Sequence, residues 1–227
     1  TRQAREAGTS DTIENTARYL DSIIGPARDD RRETYLQCGK DVVAYLEANS
    51  DVRFSIYSKH PDYLSNRPGS TLAGRALAPL PFDGRLLGGD FDLLRPPIGE
   101  FMALGGMMVG RDDIEPLSRP FGSAAALRKV ASLVWRQFTD RVRFRRGTRL
   151  LMGNALAGRL LYSLRERKVP LWLNAPLEEL TKEGERVTGA IVLRDGNPTR
   201  ITAPRAVILA TGGFGGSTDR LNDYVRP

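Results

Sequence analysis

The chain has 227 residues, 41% of them hydrophobic, and 34 Lys and Arg against 27 Asp and Glu give it a formal net charge of +7. That length suffices for one large domain or two small ones, and no run approaches the roughly 18 apolar residues of a membrane span. A single cysteine, Cys38, excludes an internal disulfide. With a single histidine, His60, no metal cluster is expected. We expect a cytoplasmic protein without a metal site or a membrane span, because the first residues also lack a hydrophobic signal segment.

Two amphipathic helices are predicted at the start of the chain. Asp11 and Glu14 are typical of a helix start, and apolar residues then recur on one face until Gly25 and Pro26. A second helix is predicted from Asp29 or Asp30 to Asn49, with Cys38 in the core. The apolar stripe of this second helix consists of Tyr35, Cys38, Val42, Val43 and Leu46.

A short strand and a long irregular segment come next. Alternating Val52, Phe54 and Ile56 indicate the strand, and proline and glycine are frequent from residue 60 to residue 120, which is typical of functional loops. The segment 101–108 could line a hydrophobic substrate mouth or pack in the core. The acidic group Asp112, Asp113 and Glu115 is expected to be solvated.

Two further helices are predicted, over 123–143 and about 150–168. The inward face of the first consists of Leu127, Val130, Leu133, Val134 and Phe138. A short apolar strand, 169–173, is predicted after the second helix. This helix and strand together would form half of a βαβ crossover.

The last part of the chain alternates strands and turns. Strands over 177–181, 187–194 and 199–202 are predicted to form an antiparallel meander. The run Ala206–Ala210 fits a parallel strand covered on both faces. Gly212 and Gly213 then either let bare main chain approach a bulky ligand or form a tight connection. The predicted fold is an α/β sheet with an inserted antiparallel β-meander and N-terminal helices.

One basic cluster stands out near the middle of the chain. Its members are Arg141, Arg143, Arg145, Arg146 and Arg149. Such a cluster could meet phosphates, and it makes a non-catalytic basic binding module an alternative function. No nucleic-acid-binding motif accompanies it, so nucleic acid is not an expected partner. A solvated helix end or a surface that docks another part of the protein is the other interpretation.

The order of elements in the second half of the chain resembles that of FAD-dependent flavoproteins of the fumarate reductase and 3-ketosteroid delta-1-dehydrogenase superfamily. This order is a helix, Val-Pro-Leu-Trp-Leu-Asn, the meander, and Ala-Val-Ile-Leu-Ala-Thr-Gly-Gly-Phe. Further motifs resemble the steroid dehydrogenase branch, and the resemblance spans about residues 10–224. These motifs are His60-Pro61-Asp62-Tyr63, Pro68-Gly69, Gly74-Arg75, Pro79-Leu80-Pro81-Phe82-Asp83-Gly84 and Gly153-Asn154-Ala155-Leu156-Ala157-Gly158-Arg159-Leu160-Leu161.

The resemblance implies part of an FAD-binding, Rossmann-like domain of the glutathione-reductase type. The family's GxGxxG motif, which holds the FAD pyrophosphate, does not occur in this sequence. We therefore expect an internal fragment, inactive and apo by itself, whose partners are the missing N- and C-terminal parts of the same chain. Its expected segments are a helical part, 1–60, a substrate-side loop region, 61–120, and helices, meander and returning strand, 121–227.

The resemblance also implies an activity and site residues. The implied activity is the desaturation of a 3-ketosteroid or related cyclic ketone by proton abstraction and hydride transfer to flavin. A fumarate- or succinate-type reductase is the alternative. Tyr63 is implied as catalytic, supporting a second tyrosine that takes the proton. A small hydrophobic substrate is expected, although His60 stands where steroid-active relatives can present an aromatic residue. The implied FAD-binding residues are Leu177, whose backbone lies near adenine, and Ala210, Thr211, Gly212 and Gly213.

Two residues of the helix motif are given separate interpretations. Gly158 indicates close packing of its helix against a sheet. Arg159 is predicted either to form an ion pair or to face the cofactor.

Overall fold

A computed structural model describes residues 2–9, 11–26, 30–57 and 59–212. The chain forms two compact units, Thr1–Val169 and Pro170–Pro227, and each is described by itself. Within the described residues, no helix is long and apolar enough to cross a membrane.

Three helices open the first unit: α1, Arg2–Glu6; α2, Ile13–Ile24; and α3, Arg31–Asn49. The predicted α2 and α3 are confirmed. The cap of α2 is Thr12, whose hydroxyl accepts the Asn15 N–H at 3.1 Å. Cys38 was predicted to lie in the core, but it is exposed. Apolar residues occur on both faces of α3, and the more buried face contains Leu36, Val43 and Leu46.

Several short strands and helical segments lie within the segment predicted to be irregular. Strand β1, Phe54–Ile56, pairs with β2, Leu77–Pro79, which confirms the strand predicted at 52–56. Strand β3, Phe82–Asp83, is followed by the 3-10 segments Gly84–Leu93 and Gly99–Phe101. Strands β4, Met102–Ala103, and β5, Met107–Met108, form a hairpin. Met107 and Met108 are buried, so this part of the segment 101–108 is core.

Helices and one strand complete the described part of the first unit. They are α4, Arg111–Ser118; α5, Ala124–Arg143; β6, Arg149–Leu150, which pairs with β3; and α6, Met152–Glu166. A Cβ added to Gly158 of α6 would lie 2.9 Å from side-chain atoms of both Leu150 and Phe82. The predicted close packing of Gly158 is therefore confirmed. The core cluster consists of Phe82, Leu87, Phe91, Met108, Leu150, Leu151, Ala155 and Leu161.

Helix α5 turns a partly polar face inward. Leu133, Gln137 and Asp140 are buried, whereas Trp135 and Phe138 are 68% and 63% exposed. The predicted inward face was thus correct for Leu133 and wrong for Leu127, Val134 and Phe138, which are exposed. Hydrogen bonds explain the difference. The Asp140 carboxylate accepts the Thr148 N–H at 2.7 Å and Arg85 Nε at 2.7 Å, and Gln137 Nε2 donates to the Leu104 carbonyl at 3.1 Å.

Asp113 was predicted to be solvated and is instead 1% exposed. Its carboxylate pairs with Arg149 at 2.7 Å and Lys129 at 3.4 Å, and accepts the Gly110 N–H at 2.9 Å. Burial by itself would raise the pKa of Asp113, but the bonds from Arg149 and Gly110 outweigh it and hold that pKa below its ordinary value of 3.8. Asp112 and Glu115 on the same helix are exposed, as predicted.

Acid should weaken the first unit through Asp113. Because the folded-state pKa of this carboxyl is depressed, its contribution to stability is complete above the unfolded-state pKa of about 3.9 and is lost as pH falls through the folded-state value. We expect the free energy of unfolding of the wild type to fall more steeply below about pH 4 than that of Asp113→Asn. Denaturant titrations across the acid range measure this, with exposed Asp112→Asn as the control. Parallel pH profiles for the wild type and Asp113→Asn would contradict the expectation.

The second unit contains the predicted antiparallel meander. Its strands are β7, Leu177–Glu183; β8, Arg186–Arg194; and β9, Asn197–Thr202, in the order β7-β8-β9. Ala190 of β8 lies between Leu180 and Ile201. The turns contain Gly184 and Gly196, both with positive φ, where glycine meets no steric cost.

Two predicted parallel strands are not formed. Residues 169–173 and 206–210 have no regular secondary structure, and Ile208 and Leu209 are 89% and 56% exposed. Every strand pair in the described part of the chain is antiparallel. A fully apolar strand is stabilised by a partner's hydrogen bonds and by cover on both faces, and none of the described strands pairs with either segment.

Candidate functional site

Tyr63 is the second residue of a compact loop in the first unit. The two ends of this loop, Asp62 and Thr71, are joined because the Asp62 N–H donates to the Thr71 carbonyl and the Thr71 N–H donates to Asp62 Oδ2, each at 2.9 Å. A surface loop whose ends meet in this way is an Ω-loop. We call residues 62–71 the tyrosine loop. The Tyr63 side chain is 96% exposed.

A row of rings leads from β1 to Tyr63. The ring centroids of Tyr57 and His60 are 5.5 Å apart, and those of His60 and Tyr63 are 6.4 Å apart in an edge-on arrangement. The guanidinium of Arg111 lies 5.8 Å from the centroid of Tyr57 and donates to the Lys59 carbonyl at 3.0 Å. His60 is thus a half-buried ring between two tyrosines, with a cation at the far end of the row.

Arg75 connects the tyrosine loop to the start of α2. Its Nε and Nη2 donate to the two carboxylate oxygens of Asp11 at 2.6 and 2.9 Å, and its Nη1 donates to Asp62 Oδ2 at 2.6 Å. Nη2 also donates to the Gly69 carbonyl at 2.7 Å, and the guanidinium lies 5.3 Å from the centroid of Tyr19. One arginine therefore bonds Asp11 outside the loop and two residues within it.

Electrostatics favour the charged forms of this network. Burial would raise the pKa of Asp11, but hydrogen bonds from Arg75 and Asn15 outweigh it and lower that pKa below 3.8. The hydrogen bond with Asp11 in turn raises the pKa of Arg75. Both groups are consequently charged throughout the neutral range.

The tyrosine loop also packs directly on α2. Tyr19 Oη accepts the Leu64 N–H at 3.2 Å. Gly69 has φ +77°, and a Cβ there would lie 2.4 Å from the Asn15 carbonyl oxygen and 2.7 Å from the Tyr19 nitrogen. The loop backbone thus approaches the helix backbone so closely that a larger residue at position 69 could not be accommodated without movement.

The predicted cofactor residues lie in the second unit. Leu177 is the first residue of β7, opposite Val192, and is 41% exposed. Ala210, Thr211 and Gly212 are exposed and irregular. Gly213 lies outside the described residues. Tyr63 therefore belongs to one unit, and the described cofactor residues belong to the other.

The geometry at Gly212 fits a turn beside a large ligand. Its φ is +79°, and a Cβ built there would meet nothing within 4 Å, so packing does not explain the glycine, whereas its backbone conformation does. The preceding Ile208 is an exposed apolar residue that a dinucleotide could cover. The sequence contains no GxGxxG, so this turn is not part of such a phosphate-binding motif.

Three other arginines, Arg159, Arg146 and Arg149, make contacts within the first unit. Arg159 pairs with Asp51 at 2.8 Å and donates to the carbonyls of Leu80 and Pro81 at 3.1 and 2.7 Å, so it forms the ion pair. In the basic cluster, Arg146 lies 4.2 Å from the centroid of Phe91, and burial lowers its pKa. Arg149 pairs with Asp113. The cluster is therefore not a single exposed patch.

Sequence reasoning missed the connections in this site more than its residues. The motifs of the sequence include Asp62 and Arg75, but they do not indicate the pairing of these two residues or the bond to Asp11. The signal that could have suggested the network is an arginine after a glycine-rich loop that begins with an aspartate. That pattern does not say which carboxylate the arginine meets.

Comparisons with known proteins identify a family and several relatives of this chain. The family model "FAD binding domain" matches residues 1–226. The 4-oxocyclohex-2-ene-1-carboxylate 5-dehydrogenase of Sinomonas cyclohexanicum is 32% identical over 94% of this chain and 36% of its own length. The 3-oxosteroid 1-dehydrogenase of Mycolicibacterium smegmatis is 32% identical over 91% of this chain and 37% of its own length.

A solved structure is similar as well. It is the crystal structure of 3-ketosteroid delta1-dehydrogenase from Sterolibacterium denitrificans in complex with 1,4-androstadiene-3,17-dione, with a TM-score of 0.81 and 31% identity. The match covers 94% of this chain and 39% of that one, so the chain spans well under half the length of these relatives. With a family model matched along nearly its whole length, the chain belongs to the FAD binding domain family.

Proposed function

We propose that this chain is part of a longer FAD-dependent dehydrogenase that desaturates a 3-ketosteroid or a related cyclic ketone. The observation that carries the proposal is Tyr63, which is 96% exposed at the start of an anchored loop, within the motif His60-Pro61-Asp62-Tyr63. The steroid and cyclohexene-carboxylate dehydrogenases that the chain resembles support it. In this proposal the chain is the Rossmann-like part of a cytoplasmic enzyme, with a helical segment, 1–60, a substrate-side segment, 61–120, and the remaining FAD-binding segment, 121–227.

The two units would serve different steps of one reaction. FAD, when bound, supplies a hydride acceptor. The bare backbone of Ala210, Thr211 and Gly212, with that of Gly213, would lie against the cofactor, and the Leu177 backbone would contact adenine. The phenol of Tyr63 would hydrogen-bond the group that removes the substrate proton. Such a bond stabilises the anionic form of its partner and lowers the partner's pKa.

Two other functions are weaker alternatives. A fumarate- or succinate-type reductase belongs to the same superfamily, but the relatives described above are named as dehydrogenases of cyclic ketones. A non-catalytic basic module would need the cluster 141–149 as an open surface. Arg146 packs on Phe91 and Arg149 pairs with buried Asp113, which removes two of its five cations from such a surface.

Purification of the full-length protein tests the proposal. We expect it to show the visible absorbance of bound FAD and to reduce an artificial electron acceptor when given a 3-ketosteroid or a 4-oxocyclohexane carboxylate. The chain of residues 1–227 should emerge colourless under the same conditions, because it lacks GxGxxG. A full-length protein that neither binds FAD nor oxidises any cyclic ketone would overturn the proposal.

A further inference from the structure

We infer that Arg75 is a positioning residue for Tyr63, acting through Asp62. The inference rests on the proposed function, because it presumes that Tyr63 takes part in proton removal. It goes further by assigning the orientation of that tyrosine to an ion-pair network, Asp11–Arg75–Asp62, that lies outside the reacting groups.

The first step of the argument is that packing does not orient Tyr63. Its side chain is 96% exposed, and its ring meets that of His60 edge-on at 6.4 Å. A side chain so exposed takes its position from its backbone. The backbone of Tyr63 follows directly from Asp62, so whatever holds Asp62 also directs the tyrosine.

The second step is that Asp62 is held at several points. Its Oδ2 accepts Arg75 Nη1 at 2.6 Å and the Thr71 N–H at 2.9 Å, and its own N–H donates to the Thr71 carbonyl at 2.9 Å. The Asp62 and Arg75 side chains are only 14% and 15% exposed. Low exposure limits solvent screening, so this charge pair is stronger than an exposed one.

The third step is that only a guanidinium can make this set of bonds. Arg75 meets both oxygens of Asp11 with two nitrogens, while its third nitrogen meets Asp62 and one nitrogen also meets the Gly69 carbonyl. The planar fork of arginine supports such divided bonding, whereas lysine concentrates its donors on one atom. Arg75→Lys should therefore keep charge but lose part of the positioning.

The consequence for catalysis follows from geometry. A displacement of about 1 Å in a reacting group can lower a rate by roughly 10²-fold. We expect Arg75→Gln in the full-length holoenzyme to lower kcat by about 10- to 10²-fold, with a much smaller change in KM, because the loop would sample positions away from the reacting one. Arg75→Lys should lie between the wild type and Arg75→Gln.

A double-mutant cycle separates positioning from general damage. If Arg75 acts through the Tyr63 hydroxyl, Arg75→Gln should cost little further rate in a Tyr63→Phe background. The matched control is Arg32→Gln. Arg32 is 17% exposed, pairs with Asp21 of α2 at 2.6 Å and donates to the Gly25 carbonyl, but it contacts no residue of the tyrosine loop among the described residues. It should leave kcat near that of the wild type. Flavin content per protein is measured for every variant.

Each outcome decides the inference. The inference is overturned if the losses in kcat of Arg75→Gln and Tyr63→Phe multiply in the double variant. It is also overturned if Arg32→Gln loses as much kcat as Arg75→Gln. Neither result affects the role of Tyr63. Wild-type turnover in Tyr63→Phe would overturn both that role and the inference. If Arg75→Gln does not fold, the same cycle is run with Arg75→Lys and Asp62→Asn. Wild-type kcat in both of these would also overturn it.

Discussion

Replacement of Tyr63 by phenylalanine in the full-length protein is expected to lower kcat for ring desaturation by about 10²- to 10⁴-fold, the usual contribution of a group that takes part in proton transfer. KM should change far less, since the substitution removes one hydroxyl and leaves the ring in place. The folded structure should also be unaffected. Because the side chain is 96% exposed, its hydroxyl satisfies no buried partner among the described residues.

Steady-state kinetics with a saturating electron acceptor measure this effect. Tyr45→Phe is the matched control, because Tyr45 is likewise exposed, at 67%, and lies on α3 away from the motif. Flavin content per protein must be equal in the two variants for the comparison to hold. Turnover of Tyr63→Phe within about twofold of the control would show that the Tyr63 hydroxyl takes no part in proton transfer, since an acid–base partner should cost far more.

Replacement of Asp140 by alanine is expected to destabilise the first unit by about 2–4 kcal/mol, because the buried carboxylate accepts hydrogen bonds that nothing else would replace. Asp140 is 1% exposed, and its carboxylate accepts the Thr148 N–H, the Thr148 hydroxyl and Arg85 Nε. Thr148 is fully buried. Its two donors would be left unsatisfied, which is the expensive part of the change.

Denaturant unfolding of the wild type and Asp140→Ala provides the measurement, with the helices of the first unit followed by far-UV circular dichroism. The exposed Trp135 is not used as the reporter, because its surroundings would change little on unfolding. Asp41→Ala is the control, since Asp41 is an exposed acid in the middle of α3 and should change stability by no more than about 0.5 kcal/mol. A loss below about 1 kcal/mol for Asp140→Ala would mean that the network is solvated and weak.

Elements whose causes are local in sequence were predicted well. The meander follows from alternating residues and from turns at Gly184 and Gly196, so its three strands appear in the predicted order. Helix α5 begins after Ser123, whose hydroxyl accepts the Ala126 N–H at 3.0 Å, and this capping chemistry is visible in the sequence.

Helix faces were harder, because apolar content does not say which side meets a core. In α5 the residue that decides the orientation is Asp140, and its partners Arg85 and Thr148 lie in other segments. A rule that places apolar residues inside therefore predicts that Phe138 is buried and Gln137 is exposed. In the structure, Gln137 is buried and Phe138 is exposed. In α3 the same rule placed Cys38 inside, although it is exposed.

The candidate site shows the same division. The prediction of Tyr63 came from the family resemblance, and that of the glycine at position 212 from a local pattern of an apolar run followed by glycines. The bond from Arg75 to Asp11 joins residues far apart in the chain, and sequence spacing carries no information about such a contact. The predicted strand 206–210 failed for a related reason, because an apolar run does not contain the partner that would make it a strand.

The arrangement of the meander has a consequence for the order in which the chain folds. Each of its strands pairs with the next in sequence, so forming it requires only short loops to close, and hairpins form in about 1–10 μs. In the first unit, by contrast, Phe82 pairs with Leu150 across α4 and α5. Closing that long segment costs more chain entropy. We therefore expect residues 177–202 to reach their native pairing early, while the Asp140 network assembles late.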